Sequence, residues 1–413
     1  MTWALAAAAA LLVAFAAVSR RLEAAGVTAA MFFTATGLLA GPVLGLLDLP
    51  LQGEEVKLVA EVTLVLVLFA DASRVSVRAL RRGYAVPLRL LGIGLPLTIV
   101  AGTVAGTAVL PGVGLLEALV LAVMLACTDA ALGRAVVTDE RVPARIRQGL
   151  NVESGLNDGL CVPIFLIAIA AAEADEGVMS GGSALRVVLE EIGYGLVGGA
   201  VAGVAGGLVL RFAVRRHDIE ALWVQILTVA SAVLAAGLAL GLGGSIFIAA
   251  FTAGFVFGTL RPREEGEVRY LVDEGGELFN AVTFIVFGAV VLGTALDQLT
   301  WELGLYAVLS LTVVRMLPVA IAMLGTGARR PSVGFLGWFG PRGLASIVFG
   351  VILLDDAELP HERTLLLGVV ATVTLSVFVH GLTAGPLTDR YVSWARAHPR
   401  DRVTGPPADA GTP

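Results

Sequence analysis

Charged residues are so sparse along this chain that apolar runs of about 20 residues follow one another almost from end to end. Each run is long enough to cross a bilayer as a helix, which satisfies its own backbone hydrogen bonds where no water can. Charges, glycines and prolines punctuate the sequence into about thirteen candidate spans, at 3–18, 27–47, 56–71, 84–110, 114–137, 147–172, 186–213, 221–240, 244–260, 273–296, 300–324, 335–354 and 364–386. Composition agrees. With 57% hydrophobic and 15% charged residues over 413 positions, and a mean hydropathy of +0.87, the chain lacks the polar surface that a water-soluble domain needs. The expected fold is an all-α polytopic membrane protein.

Basic residues test the span count, because cytoplasmic loops collect Lys and Arg. One alternating set of connections holds Arg20, Arg21, Arg74, Arg78, Arg81, Arg82, Arg89, Arg134, Arg141, Arg145 and Arg147. The same set continues with Arg211, Arg215, Arg216, Arg261, Arg263, Arg269, Arg329 and Arg330, then Arg390, Arg396, Arg400 and Arg402 after the last span. The opposite set holds Lys57, Arg186 and Arg363 and is rich in Asp and Glu. The alternation predicts an odd number of spans in the cell membrane, with the N-terminus outside and the C-terminus in the cytoplasm. Residues 1–18 lack a basic n-region and run on into Ser19-Arg20-Arg21, so they read as a first span rather than a cleaved signal peptide. Residues 1–386 are expected to form a single transmembrane unit. Residues 387–413, with Pro399, Pro406, Pro407 and Pro413, read as a short disordered cytoplasmic tail. Cys127 and Cys161 lie in apolar runs without metal-ligand spacing and read as packing residues.

Two spans are poor helices at their middles. Span 5 carries Thr128-Asp129 and span 12 carries Gly340-Pro341-Arg342-Gly343. Their offset along the chain is odd, so two six-span repeats, about 3–172 and 221–386, would be inverted relative to each other, with 186–213 as the linker helix. Inverted repeats whose broken helices cross place a binding site near the midplane of secondary transporters. Gly195, Gly199 and Gly203 in the linker are a small-xxx-small pattern and read as close helix packing.

A charge at the bilayer centre needs a partner or a purpose. The deep ionisable residues are Asp71, Asp129, Glu153, Asp158, Arg315 and Arg342. Glu61, Glu117 and Glu190 lie nearer the outer ends, where snorkelling suffices. On a helix, Ser154 and Asp158 share one stripe, and Glu153 and Asn157 share the neighbouring one. The first stripe offers a hydroxyl and a carboxylate, hard oxygens suited to an alkali cation. Glu153 needs a cation, and Arg315 is its natural mate. If span 5 unwinds at Thr128-Asp129, the freed Thr128 carbonyl becomes a further ligand. Asp71, at the inner end of span 3, is a candidate carboxylate at the mouth.

The segment Thr128-Asp129, followed by Glu153-Ser154-Gly155-Leu156-Asn157-Asp158-Gly159, resembles the paired motif of the monovalent cation:proton antiporters, in the electroneutral sodium/proton exchanger (NhaP-like) branch. Gly37-Leu38-Leu39-Ala40-Gly41-Pro42, Leu68-Phe69-Ala70-Asp71-Ala72 and Gly340-Pro341-Arg342-Gly343 support the resemblance, which covers essentially the whole chain. It implies a six-helix core domain that rocks against a dimerisation domain, usually in a homodimer. It implies that Asp158 carries the ion, that Asn157 braces Asp129, that Thr128 lends its carbonyl, and that Glu153 and Arg315 pair. The family commonly has Pro after the Thr-Asp pair; here Ala130-Ala131 follows.

Antiport follows from competition, one carboxylate holding either a proton or a cation while its empty, charged form is disfavoured in the low-dielectric barrier. The expected function is exchange of Na⁺ (or Li⁺) for H⁺. Asn157 is a neutral amide, so Asp158 alone changes charge and the exchange is one for one and electroneutral. A K⁺/H⁺ exchanger of the same fold is the alternative. The transported ion would be held by Asp158, Ser154 and Thr128. No resident cofactor and no nucleic-acid partner is expected, only cation, proton, bilayer and a second copy. The chain is not expected to be an enzyme: the Gly-x-Gly-Asp and Gly-x-Ser-Gly contexts of intramembrane proteases are absent around Asp158 and Ser154. Repeated filter loops of a channel are also absent.

Overall fold

The computed structural model describes residues 2–47, 53–75, 85–129, 131–261 and 270–398. Ala130, Arg78, Arg81, Arg82, Arg263, Arg269, Pro399, Arg400, Arg402, Pro406, Pro407 and Pro413 lie outside the described residues. All regular elements among the described residues are helical. In chain order they are α1 (Thr2–Ala24), α2 (Ala29–Val43), α3 (Glu54–Arg74), α4 (Val86–Val109), α5 (Leu115–Met124), α6 (Arg134–Val137) and α7 (Ala144–Asp175). There follow α8 (Gly181–Arg216), α9 (Ala221–Leu242), α10 (Ile246–Leu260), α11 (Tyr270–Val286, continued by a π-turn at Phe287–Leu292) and α12 (Trp301–Ala322). The last are α13 (Arg330–Trp338), α14 (Leu344–Asp356) and α15 (Glu362–Ala397). Among the described residues, eight helices are long and apolar enough to cross a membrane; α2, α5, α10 and α14 include shorter apolar helices.

The chain divides into two compact units, one of residues 1–58, 83–157 and 281–413 and another of 59–82 and 158–280. In the first unit, small residues let helices touch. A Cβ added to Gly37 or Gly41 of α2 would run into the backbone at Ile285 or Ala289, and one added to Gly288 would run into Thr34. On α4, Gly102 and Gly106 face Ala122 and Ala118 of α5 in the same way. Between lipid-solvated helices there is no hydrophobic drive, so such close approach supplies the packing energy. A separate apolar cluster joins Ile146, Leu150, Phe335, Phe339, Tyr391 and Val392.

The second unit is built around α10. Gly199 and Gly203 of α8 lie directly on Ala249 and Ala253 of α10, and Gly195 on Ser245 and Ile248. This is the packing role that their spacing predicts. On another side, Gly254 and Gly258 of α10 lie on Phe69 and Ser73 of α3, where the Phe69 and Phe257 rings are 5.6 Å apart.

One boundary changes. Residues 387–397, read from sequence as part of a disordered tail, continue α15 as helix. The reason is tertiary: Tyr391 stacks on Phe335 at 4.1 Å and its hydroxyl lies 3.0 Å from that of Ser332, burying Val392 and Ala395 alongside.

Candidate functional site

Within the first unit, α5 stops at Met124 with no Gly or Pro to end it, and helix resumes only at Arg134. The last turn of a helix leaves carbonyls without partners, and here they are met from another element. Ser346 donates its hydroxyl to the Met124 carbonyl (2.7 Å), and Arg342 Nη1 donates to those of Ala126 (2.8 Å) and Cys127 (2.9 Å). Arg342 belongs to the second interruption, where α13 ends at Trp338 and α14 begins at Leu344, and Ser346 to the first turn of α14.

The two interruptions cross and complete each other. The Asp129 N–H donates to the Pro341 carbonyl at 2.8 Å. The Asp129 carboxylate accepts from the N–H of Leu344 at the start of α14 (2.9 Å) and from those of Ala131 (2.8 Å) and Leu132 (3.3 Å). A carboxylate therefore sits at the positive N-terminal end of α14, and a guanidinium at the negative C-terminal end of α5. Glycine is required at the meeting point: a Cβ on Gly343 would occupy the place of the Asp129 carboxylate, and one on Gly340 that of the Arg315 guanidinium.

Thr128 is gripped by α7. Ser154 Oγ donates to the Thr128 carbonyl (2.5 Å), Asn157 Nδ2 donates to Thr128 Oγ1 (2.7 Å), and the Thr128 N–H donates to Asn157 Oδ1 (3.3 Å). This corrects one expectation. Asn157 braces Thr128 rather than Asp129, because backbone N–H groups already occupy the Asp129 carboxylate. Thr128, Ser154 and Asn157 thus gather four oxygens, the donor type that suits a hard monovalent cation. Each of the four also makes or takes a protein hydrogen bond.

Glu153 and Arg315 meet in a two-pronged ion pair, Nη1–Oε1 at 2.5 Å and Nη2–Oε2 at 2.9 Å, with both side chains 3% exposed. Such planar, doubly bonded geometry is what keeps charges tolerable out of water. Asp158 is the next residue of α7 after Asn157, one turn beyond Ser154, and is buried. Asp71, near the end of α3 in the second unit, pairs with Arg74 at 3.0 Å.

Some polar residues were not singled out from sequence. Glu117, set aside as able to snorkel, is buried: it accepts from the N–H groups of Gly114 (3.1 Å) and His361 (2.9 Å) and lies 2.9 Å from His361 Nδ1. Ser376 and His380, one turn apart on α15, are buried against the second interruption. A lone histidine at the end of the apolar run from Leu365 to Val379 was a signal for the latter.

A family model described as "Sodium/hydrogen exchanger, transmembrane" matches residues 7–390. The chain is 25% identical, over 80% of its own length and 46% of the other's, to the probable Na⁺/H⁺ antiporter C3A11.09 of Schizosaccharomyces pombe. It is 24% identical, over 86% of its length and 61% of the other's, to the K⁺/H⁺ antiporter NhaP of Alkalimonas amylolytica. The chain thus spans about half to two thirds of these relatives. In fold it is similar to the sodium proton antiporter MjNhaP1 from Methanocaldococcus jannaschii, with a TM-score of 0.76 at 20% identity over 92% of this chain and 98% of that one.

Proposed function

The chain belongs to the sodium/hydrogen exchanger family, a family of transporters rather than enzymes, and from that membership we propose that it exchanges Na⁺ (or Li⁺) for H⁺ across the cell membrane. The observation that carries this reading is the crossing of two interrupted helices beside α7, where Thr128, Ser154 and Asn157 present oxygens and Asp158 follows on the same helix. Asp158 is the carrier, binding either ion in turn, with the Ser154 hydroxyl and the Thr128 carbonyl completing the shell of the transported cation. Asp71 serves at the mouth. Asp129 stays in one protonation state, because its carboxylate accepts three backbone N–H groups. Arg342 and the Glu153–Arg315 pair hold the scaffold without changing charge.

With Asn157 neutral, one proton exchanges for one cation and no net charge moves. The architecture we propose has thirteen spans, with inverted repeats at about 3–172 and 221–386 joined by 186–213, an external N-terminus, a cytoplasmic C-terminus and a homodimeric assembly. The similarity to a K⁺/H⁺ antiporter supports a second reading, K⁺ in place of Na⁺.

Purified protein in proteoliposomes, carrying a pH-sensitive dye and given Na⁺, Li⁺ and K⁺ in turn, tests the reading. Na⁺ or Li⁺ should dissipate the pH gradient, and Asp158→Asn should abolish this while membrane insertion is unchanged. Exchange by Asp158→Asn at half the wild-type rate would overturn the assignment of the carrier. A response to K⁺ alone would select the second reading. Acceleration by a valinomycin-set voltage, with Na⁺ as substrate, would overturn electroneutrality and make Asp129 a second carrier.

A further inference from the structure

We infer that His380 is a positioning residue for this exchange, held as the neutral Nε2–H tautomer and bridging, through Ser376, the gap between α13 and α14. The inference rests on the antiport reading for its effect on cation binding, though not for the tautomer.

His380 Nε2 lies 2.9 Å from the carbonyl of Trp338, the last residue of α13. A carbonyl only accepts, so a proton on that nitrogen completes a hydrogen bond. On its other side, Nδ1 lies 3.2 Å from Ser376 Oγ and 3.0 Å from the Ser376 carbonyl. Ser376 Oγ already accepts the Arg342 N–H at 2.7 Å and still has a proton to place. In the Nε2–H tautomer, the Nδ1 lone pair receives it. The result is a continuous relay, Arg342 N–H to Ser376 O–H to His380 Nδ1, and His380 Nε2–H to Trp338 O. In either neutral tautomer one ring lone pair lies beside a backbone carbonyl. In the Nε2–H form that lone pair, on Nδ1, also receives the Ser376 hydroxyl, whereas in the Nδ1–H form the one on Nε2 would meet only the Trp338 carbonyl. A doubly protonated ring would set another positive charge beside Arg342 and Arg315, in a position 1% exposed.

The two ends of this relay flank Phe339 to Pro341, the stretch that takes the Asp129 N–H on the Pro341 carbonyl. Arg342, held by its N–H, is also the residue that caps α5 with its guanidinium. Thr128 stands one residue from Asp129 on that crossing segment. His380 therefore touches no cation ligand, yet sets where the crossing lies and so where the Thr128 carbonyl points. Space filling alone would ask only for volume, which leucine supplies. The relay asks for a donor aimed at Trp338, which glutamine also supplies.

The test pairs two readouts on the full-length protein. Nitrogen-15 NMR of histidine-labelled protein in detergent, with His380→Gln assigning one of the four histidines, should show a neutral ring protonated on Nε2. A neutral Nδ1–H ring or an imidazolium near neutral pH would overturn the relay. In proteoliposomes, His380→Leu and Ser376→Ala should each raise the KM for Na⁺ about tenfold with kcat changed far less, the worth of one buried hydrogen bond. His380→Gln should stay within about threefold of wild type. Leucine performing as well as glutamine would show a packing role and overturn the inference. If wild-type protein shows no cation-dependent proton movement, the antiport reading fails and the positioning role falls with it, whereas the tautomer is still decided by NMR.

Discussion

The two interrupted helices reach the same end by different means. The second is written in its own residues: Gly340 and Gly343 leave room for Arg315 and Asp129, and Pro341 cannot donate a backbone hydrogen bond. The first, Ala126-Cys127-Thr128-Asp129, has no helix breaker. It is held open mainly by groups from elsewhere, Arg342 on the Ala126 and Cys127 carbonyls, Ser346 on that of Met124 just before it, and Ser154 and Asn157 on Thr128, while Asp129 accepts from Ala131 and Leu132. An interruption can thus be a property of a sequence or of its neighbours. The second kind costs stability wherever a neighbour is removed.

The largest test concerns the pair lying beside both interruptions. Arg315→Ala strands Glu153 and should lower stability by about 3–5 kcal/mol, seen as a sharp fall in thermal unfolding temperature in detergent. The Glu153→Ala/Arg315→Ala double variant should recover part of that loss; additive losses would show that the two are not coupled. Next, Gly343→Ala pushes a methyl group into the Asp129 carboxylate and should cost about 1–3 kcal/mol, together with most of the cation-driven proton flux. An unaffected flux would mean that the two interruptions do not have to meet. Smaller again, Ser154→Ala removes one hydrogen bond to Thr128, and Ser346→Ala one to Met124. Each should cost about 1 kcal/mol in the same unfolding assay, but only Ser154→Ala should also weaken Na⁺ affinity. The smallest effect is expected at Pro341. Pro341→Ala keeps the carbonyl that receives the Asp129 N–H, and should cost under about 1 kcal/mol, mainly through a looser unfolded chain. A loss as large as that of Gly343→Ala would show that the second interruption, too, hangs on a single residue.

What sequence alone exposed divides along the same line. The Gly-Pro-Arg-Gly break could be read because its cause is local. Glu153 and Arg315 could be matched because buried charges of opposite sign must find each other. The glycines of α8 could be read as a packing stripe from their spacing. Helical spacing gives faces, however, and not neighbours. Asn157 shares a stripe with Glu153, and nothing along α7 says that its amide meets Thr128 rather than Asp129. Glu117 looked able to reach water because its distance from the span's end was judged without knowing that His361 closes over it. The helix through 387–397 depends on Phe335, more than fifty positions earlier, so its own charges and the prolines that follow it pointed to disorder.

The reciprocal capping of α5 and α14 has a bearing on how the chain is made. Arg342 lies 216 and 215 positions after the two carbonyls that it serves. At ribosomal speeds of about 5–20 residues per second, α5 waits roughly 10–40 s for its cap. Throughout that interval a helix end with bare carbonyls is already committed to the membrane, where bare carbonyls are least welcome. The early half of the protein must therefore be sheltered, by the insertion machinery or by water drawn in beside it, until α13 and α14 arrive. Biogenesis, as much as transport, depends on this late pair of half-helices.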